Sequence, residues 1–583
     1  MIVKKWFFFF SFVFILCLAS CRHESISKGN TLEVPNALQS YIEIVEWDDL
    51  GEKKPVINFQ KLDGRTYFIR LDFDIDGAVK QDDWQARVHL AFNPDFHWAP
   101  HLTPTKDNII DRHVFRSPAL IVSTQHMLLT LVPDLEIMGR GTPVRWYMDL
   151  DAPNNLLTLG MSDCEVKRGL FFIRKPGAVY PAGKHQIGFY VFVSDDEKDI
   201  QDPWRRPLEF LWKRWGKSLF ESGQPLPPSL EPYVKYTYGW AFKTWKKSVW
   251  QEFDLKGRKV GAPVFIVNVT QSPNYPGEVN ERGFRSIWNQ AWFSSLRSAS
   301  GLFRYARLTG NKNFLEKALL TKELALSAPI KNGFFDTVVA TEMKIVKIKG
   351  EKYNRSKGWK TAFWGNSNRN PVNRPPGKPR IRDCSIAPYH ILDMSWTALL
   401  MLRWYDELEK DKRLLDYAQN YAESLLELQD EAGFFPGWLN KDTLQSLGIL
   451  DQSPETSMSA TFLLKLGEIT KKERYKHAAL EALEAVIREI IPVGRWEDFE
   501  TYWSSSSYGN SELIGKKVVR NNMYKQNSLS IFWTAEALLA TYQATGNEKY
   551  LHWGRRTLDE LSMCQQVWQP PFIHVPALGG FGV

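Results

Sequence analysis

Four stretches of the chain align without a gap. Residues 292–314 read WFSSLRSASGLFRYARLTGNKNF, 393–415 read DMSWTALLMLRWYDELEKDKRLL, 453–475 read SPETSMSATFLLKLGEITKKERY, and 528–550 read SLSIFWTAEALLATYQATGNEKY. Each carries apolar residues at helical spacing, then a tight polar turn, then an apolar anchor (Phe314, Leu415, Tyr475, Tyr550) that opens a second helix. The second helices are expected over 318–326, 417–428, 478–487 and 553–561. One helical hairpin cannot bury both its faces, so repeated hairpins are expected to stack side by side. Within a hairpin the turn is a few residues, whereas the links between hairpins are long: 333–392, 433–452 and 494–527. Stacking puts all short turns on one side and all long links on the other. Long links in a compact domain usually carry function, so the mouth above the long links is where a site is expected.

Upstream the period changes from 3.6 to 2. Tyr67-Phe68-Ile69-Arg70-Leu71-Asp72-Phe73 and Ile187-Gly188-Phe189-Tyr190-Val191-Phe192-Val193 are two of many short alternating runs separated by Gly, Pro, Asn and Asp. This pattern predicts an antiparallel β-sandwich over 36–220. A Pro- and Ser-rich linker over 221–232 separates it from the helical region, 233–583. Residues 233–253 are a candidate for one more hairpin. The chain stops at Val583 in the middle of what would be a further link, so the ring of hairpins is expected to be incomplete as it stands.

The first 21 residues stand outside the fold. Lys4 and Lys5 precede an apolar run over 6–17 that is too short for a comfortable membrane span. It ends in Leu18-Ala19-Ser20-Cys21, which resembles the lipobox of bacterial lipoproteins. The resemblance implies an exported protein of the bacterial cell envelope, lipidated at Cys21 and tethered through 22–35. Cys164, Cys384 and Cys564 then remain; an odd number so widely spaced is no disulfide framework, and no Cys-x-x-Cys suggests zinc.

Among 583 residues, 74 Lys+Arg against 66 Asp+Glu leave a formal charge of +8, too dilute to argue for nucleic acid. No nucleotide-binding glycine motif is present. The 23 Trp are many, and tryptophan in a groove stacks on flat apolar faces such as sugar rings. A secreted β-sandwich, a linker and repeated helical hairpins together resemble the six-hairpin, (α/α)6-toroid superfamily of carbohydrate-active enzymes. That resemblance implies an oligo- or polysaccharide substrate and a cleft where the long links enter the inner helices.

The link 494–527 is the richest in chemistry. Glycoside hydrolysis needs two carboxyl groups, one giving a proton to the leaving oxygen and one activating water or attacking carbon. Glu497, Asp498 and Glu500 stand beside Trp496 and Trp503, an aromatic wall that can stack sugar and raise an acid's pKa. Asp383 is a partner carboxylate, and His390 a base or a sugar-hydroxyl contact. Arg382, Tyr389, Trp438, Tyr508, Asn510 and Tyr524 complete the expected substrate contacts, and Phe434 and Phe435 could stack or act as wedges between hairpins. Glu278 and Glu281 could enter the cleft from before the first hairpin. Asp393 shares its register with Ser453 and Ser528, so it reads as a helix N-cap. In the sandwich, Asp72, Asp74 and Asp76 have the spacing that opens a calcium loop, although strand alternation explains them equally; no metal or other cofactor is expected.

The leading expectation is therefore a glycoside hydrolase using paired carboxylates. A polysaccharide lyase or uronate epimerase is the alternative, since Tyr389, His390, Tyr508, Asn510, Arg520, Asn521 and Tyr524 suit proton abstraction beside a carboxylate. A non-catalytic surface glycan-binding protein, which would keep the aromatics without paired acids, is the second alternative.

Overall fold

The computed structural model describes residues 30–32, 34–48, 55–80, 85–101, 104–139, 145–167, 171–223, 229–264, 286–288, 294–348, 350–367, 383–502 and 511–581. Two six-stranded antiparallel sheets form the N-terminal part. One runs Asn30–Leu32, Ile42–Trp47, Gln85–Leu90, Leu156–Met161, Trp146–Asp151, Ile110–Asp111. The other runs Val56–Lys61, Thr66–Ile75, Gly183–Ser194, Leu128–Pro133, Leu120–Ser123, Phe96–Trp98. Their inward residues, among them Val45, Val88, Leu159, Ile69, Leu131 and Val191, share one core. The sandwich begins earlier than expected. Residues 30–32, read as tether, pair with 45–47, and the neighbouring Val34 is buried.

The four repeats fold as four helical hairpins. They are Ser295–Thr309 (α1) with Lys312–Leu326 (α2), Ile391–Glu407 (α3) with Lys412–Leu426 (α4), Thr456–Thr470 (α5) with Glu473–Glu489 (α6), and Ser528–Thr545 (α7) with Glu548–Ser562 (α8). Side chains cap most of them in the way short polar residues do. Asn311, Asp411 and Asn547 accept backbone N–H groups at the starts of α2, α4 and α8. Gly310 and Gly546 close α1 and α7 in the left-handed conformation that suits glycine.

In the two middle hairpins the members differ in burial. In α3 every residue from Ile391 to Leu402 is buried, and in α5 every residue from Thr456 to Leu464. Helices buried all round form an inner layer. Their partners α4 and α6 bury only one stripe, such as Leu414, Tyr417, Ala418, Tyr421 and Leu425 in α4. The inner helices α1, α3, α5 and α7 pack in sequence order, and hydroxyl groups bridge them. Ser395 Oγ lies 2.9 Å from Ser459 Oγ, and Ser457 Oγ 2.8 Å from Thr534 Oγ1.

Residues 233–253, the candidate for one more helical hairpin, instead belong to helix Glu231–Gly239 and an antiparallel β-hairpin, Trp250–Leu255 with Arg258–Pro263. The alternation in 250–263 lets Phe253, Leu255, Val260 and Ala262 pack on Leu324 of α2. The link 333–392 likewise contains strands rather than an open loop, including Val338–Thr341 paired with Ala362–Gly365.

The sandwich and the helical array share a continuous interface. Met523, Met563, Val567 and Trp568 enter the sandwich core. Arg520 sends its guanidinium to Asp149 and Asp151, and Asn521 Nδ2 donates to the His101 carbonyl at 3.0 Å. The Trp568 indole N–H donates to the Phe115 carbonyl at 3.1 Å.

Candidate active site

The links converge where the inner helices begin. The two-residue strand Tyr389–His390 pairs with Trp438–Leu439, joining the links 333–392 and 433–452. His390 is consequently stacked face to face on Trp438, with ring centroids 3.7 Å apart, and Phe499 of the link 494–527 meets its edge at 5.1 Å. All three links thus meet at one ring.

His390 is buried between two carboxylates. Its Nδ1 lies 3.0 Å from Asp393 Oδ2, and its Nε2 lies 3.0 Å from Glu455 Oε2. Burial opposes charge on the ring, but Asp393 and Glu455 outweigh it and lift the pKa to about 9. At neutral pH the ring is an imidazolium, with no lone pair to accept a proton. Asp393 therefore does not have the capping role read from its register. The N-cap position of α3 belongs to His390, and Asp393, one turn in, faces that ring.

Glu455, at the N-terminal end of α5, is held at both oxygens: Oε2 by His390 and Oε1 by the Phe499 backbone N–H at 2.8 Å. Asp498 is next to this pair in charge terms and is fully buried. Its Oδ1 accepts from the Thr501 backbone N–H (2.9 Å) and hydroxyl (3.0 Å), while Oδ2 has no hydrogen-bond partner among the described residues. Burial, followed by repulsion from Glu455, pushes its pKa up to about 7, against the pull of the Thr501 and Glu500 contacts. A buried acid, an adjacent carboxylate and a charged histidine that orients it are the result.

The other acids of the link sit differently. Glu497 accepts from the Arg495 guanidinium (2.8 Å), from the Tyr502 hydroxyl and from the Gly515 backbone N–H (3.0 Å to Oε1). Its oxygens brace the link. Glu500 is buried as well. Asp383 is exposed and turns its Oδ1 back onto the backbone N–H and hydroxyl of Ser385, at 2.8 and 2.7 Å.

Among the aromatics, Trp496 and Phe434 are wedges in a cluster with Val486, Ile490, Ile531 and Leu538. Phe435 packs edge-on against Tyr417 and Tyr421. Trp438 spends its face on His390. Tyr389 lies on the other face of its strand from His390, under the Lys441 ammonium, 5.7 Å from the ring centre. Burial and then Asp336 push its pKa to about 12. Tyr524 is half-buried, with Arg495 and Lys517 over its ring. Cys21, Glu278, Glu281, Arg382, Trp503, Tyr508 and Asn510 lie outside the described residues.

In the sandwich, Asp72 accepts from Arg70, Asn58 and Gln186, and Asp72 and Asp74 alternate along the strand Thr66–Ile75, with Asp76 just past its end. Among the described residues no group of three or more His, Cys, Asp or Glu is placed to hold a metal ion. A cavity of about 570 Å³, lined by Val34, Gln39, Glu43, Leu90 and Phe92, lies on the sandwich, apart from the His390 cluster.

Sequence reasoning missed Glu455 and misread Asp393. The available signal was positional: both acids stand where a long link enters an inner helix, amid residues that are otherwise apolar or hydroxylic. Asp336, also in the link 333–392, accepts from Asn366 Nδ2 (2.9 Å) and pairs with Lys441 (2.7 Å) close to Tyr389.

No family model and no curated protein matches the chain. Solved structures similar to it include a GH76 α-mannanase from Bacteroides thetaiotaomicron, at 12% identity over 65% of this chain and 80% of that one, with a TM-score of 0.32. A possible GH105-family member from Salmonella enterica serovar Paratyphi A is 12% identical over 61% of this chain and 70% of that one, with a TM-score of 0.30. A D-mannose isomerase is 10% identical over 50% of this chain and 67% of that one, with a TM-score of 0.31. At these identities and TM-scores the likenesses decide neither reaction nor substrate.

Proposed function

We propose that the chain is a glycan-cleaving enzyme, a glycoside hydrolase, exported and held in the bacterial cell envelope by lipid at Cys21. The observation that carries the reaction is Asp498: a fully buried carboxyl whose Oδ2 has no hydrogen-bond partner among the described residues, beside the Glu455 carboxylate, with burial and that neighbour raising its pKa to about 7. Hydrolysis of a glycosidic bond needs such an acid. In this reading Asp498 gives its proton to the departing glycosidic oxygen. Glu455 is the second carboxylate, and His390 is a positioning residue that fixes it. Water supplies the hydroxyl at the anomeric carbon, and its proton restores the acid.

The lyase or epimerase reading loses support on four residues. Its histidine base would have to be neutral, and His390 is held charged. Its tyrosine base would need a lowered pKa, and that of Tyr389 is raised. Arg520 and Asn521, which would neutralise a uronate, are committed to Asp149, Asp151 and His101 of the sandwich.

A panel of neutral and acidic glycans tests this. New reducing ends without the ultraviolet absorbance of an unsaturated uronate are expected. Activity should fall as pH rises through about 7, because the acid must be protonated, and Asp498→Asn should abolish it. Ultraviolet-absorbing products, or full activity in Asp498→Asn, would refute the assignment. Mass analysis of the N-terminal peptide tests lipidation at Cys21.

A further inference from the structure

Helix Glu231–Gly239 continues through a π-turn, Trp240–Thr244, into the short helix Lys246–Val249. Its inner face is anchored. Tyr238 packs against Tyr305 and Phe314 with centroids 5.1 and 5.7 Å apart, and Phe242 against Trp250 and Phe314. Its outer face is largely exposed, with Trp240 resting against Trp245 at a centroid separation of 4.6 Å. Tyr233, Tyr236 and Trp240, at spacings of three and four residues, are 62%, 79% and 39% exposed, and Leu230 before them is 72% exposed. Lys235, Lys243, Lys246 and Lys247 are exposed on the same segment. Residues 231–249 hold these four lysines against one acid, Glu231, and none of the four is ion-paired among the described residues.

A row of Tyr and Trp is poorly matched to water, and contiguous exposed aromatics mark an interaction surface. Rings with an apolar body and a polar edge, flanked by lysines, match the boundary of a bilayer. Lysine stems lie along apolar surface while the ammonium groups reach anionic headgroups. Chain length adds to this. Eight residues, nine Cα–Cα steps, separate Cys21 from Asn30, the start of the first strand, and an extended chain spans at most about 3.6 Å per residue. A lipid on Cys21 would keep Asn30 within about 30 Å of the membrane, so that even a weak contact of the folded part with the bilayer surface is favoured by local concentration.

We propose that the face formed by Tyr233, Tyr236 and Trp240, with the lysines behind it, rests on the surface of an anionic bilayer. The inference rests on the lipid-anchor reading for its tether and is independent of hydrolysis. The test uses the full chain on vesicles of phosphatidylethanolamine and phosphatidylglycerol, with a spin label at Tyr236→Cys. A label at Val166→Cys, 53% exposed on the sandwich, is the aqueous control. The unsubstituted chain, treated in parallel, reports any label taken up by the partly buried Cys564. On vesicles the label at 236 should lose collisions with a water-soluble nickel complex and gain collisions with oxygen, while that at 166 stays aqueous. The triple variant Lys243→Glu, Lys246→Glu, Lys247→Glu should return the label at 236 to water. A label at 236 that stays aqueous on vesicles overturns the proposal. So does one shielded without vesicles as protein concentration rises, which would assign the face to a second copy. Shielding at 236 with no lipid found on the N-terminal peptide would support the face and sink only the tether.

Discussion

Asp498→Asn should make the folded protein more stable at high pH while removing its activity. Asparagine copies the shape of the protonated acid and cannot ionise. In the wild-type protein the Asp498 carboxyl is lifted from 3.8 to about 7 on folding, by burial and then by Glu455. The folded state therefore holds a proton that the unfolded chain has released between those two values. Stability tied to this group is fully present below pH 3.8 and falls as pH rises, at about 1.4 kcal/mol per unit, levelling off above about 7. The whole span is three units, or about 4 kcal/mol. Between pH 5 and 8 the variant should gain on the wild type by about 3 kcal/mol, most of it below pH 7. Parallel thermal or urea melts of both proteins over that range read the difference directly. A gap that stays constant from pH 5 to 8 would mean Asp498 is ionised throughout, and the general-acid assignment would fall with it.

Further outcomes follow from the same contacts. His390→Gln leaves Asp393 and Glu455 buried without their cation, a loss of about 3–5 kcal/mol. Because the histidine is raised from 6.5 to about 9, the wild-type advantage should be widest below pH 6.5 and shrink as pH rises through 9, seen in melts across pH. Arg520→Ala strands Asp149 and Asp151 at the interface; a similar loss, with the sandwich and helical array separating into two calorimetric transitions, is expected. Gly433→Ala meets two obstacles, a φ of +102° and a backbone oxygen of Glu481 that would lie 2.6 Å from the new Cβ. Backbone strain alone costs about 1–3 kcal/mol, which a lowered melting temperature would register.

The periodicity of the sequence was enough to place the architecture. Alternation in 66–75 and 183–194 makes paired strands because only that period gives a sheet one buried face. The repeated 3.6 pattern, with Asn311, Asp411 and Asn547 at helix starts, makes hairpins because local capping and spacing suffice to set a helix. Even inner and outer helices differ in the sequence, since α5 is apolar or hydroxylic at every position from Thr456 to Leu464 while α6 is apolar along one stripe. The tertiary structure decided which polar groups meet. Glu455 and His390 are 65 residues apart and their contact leaves no mark in either local pattern. Glu497 and Asp498 are neighbours in the chain, yet one accepts from Arg495, Tyr502 and Gly515 while the other has an oxygen with no partner among the described residues. Local spacing fixes which way a backbone winds, whereas the state of a carboxyl depends on burial and on charges brought from elsewhere in the chain.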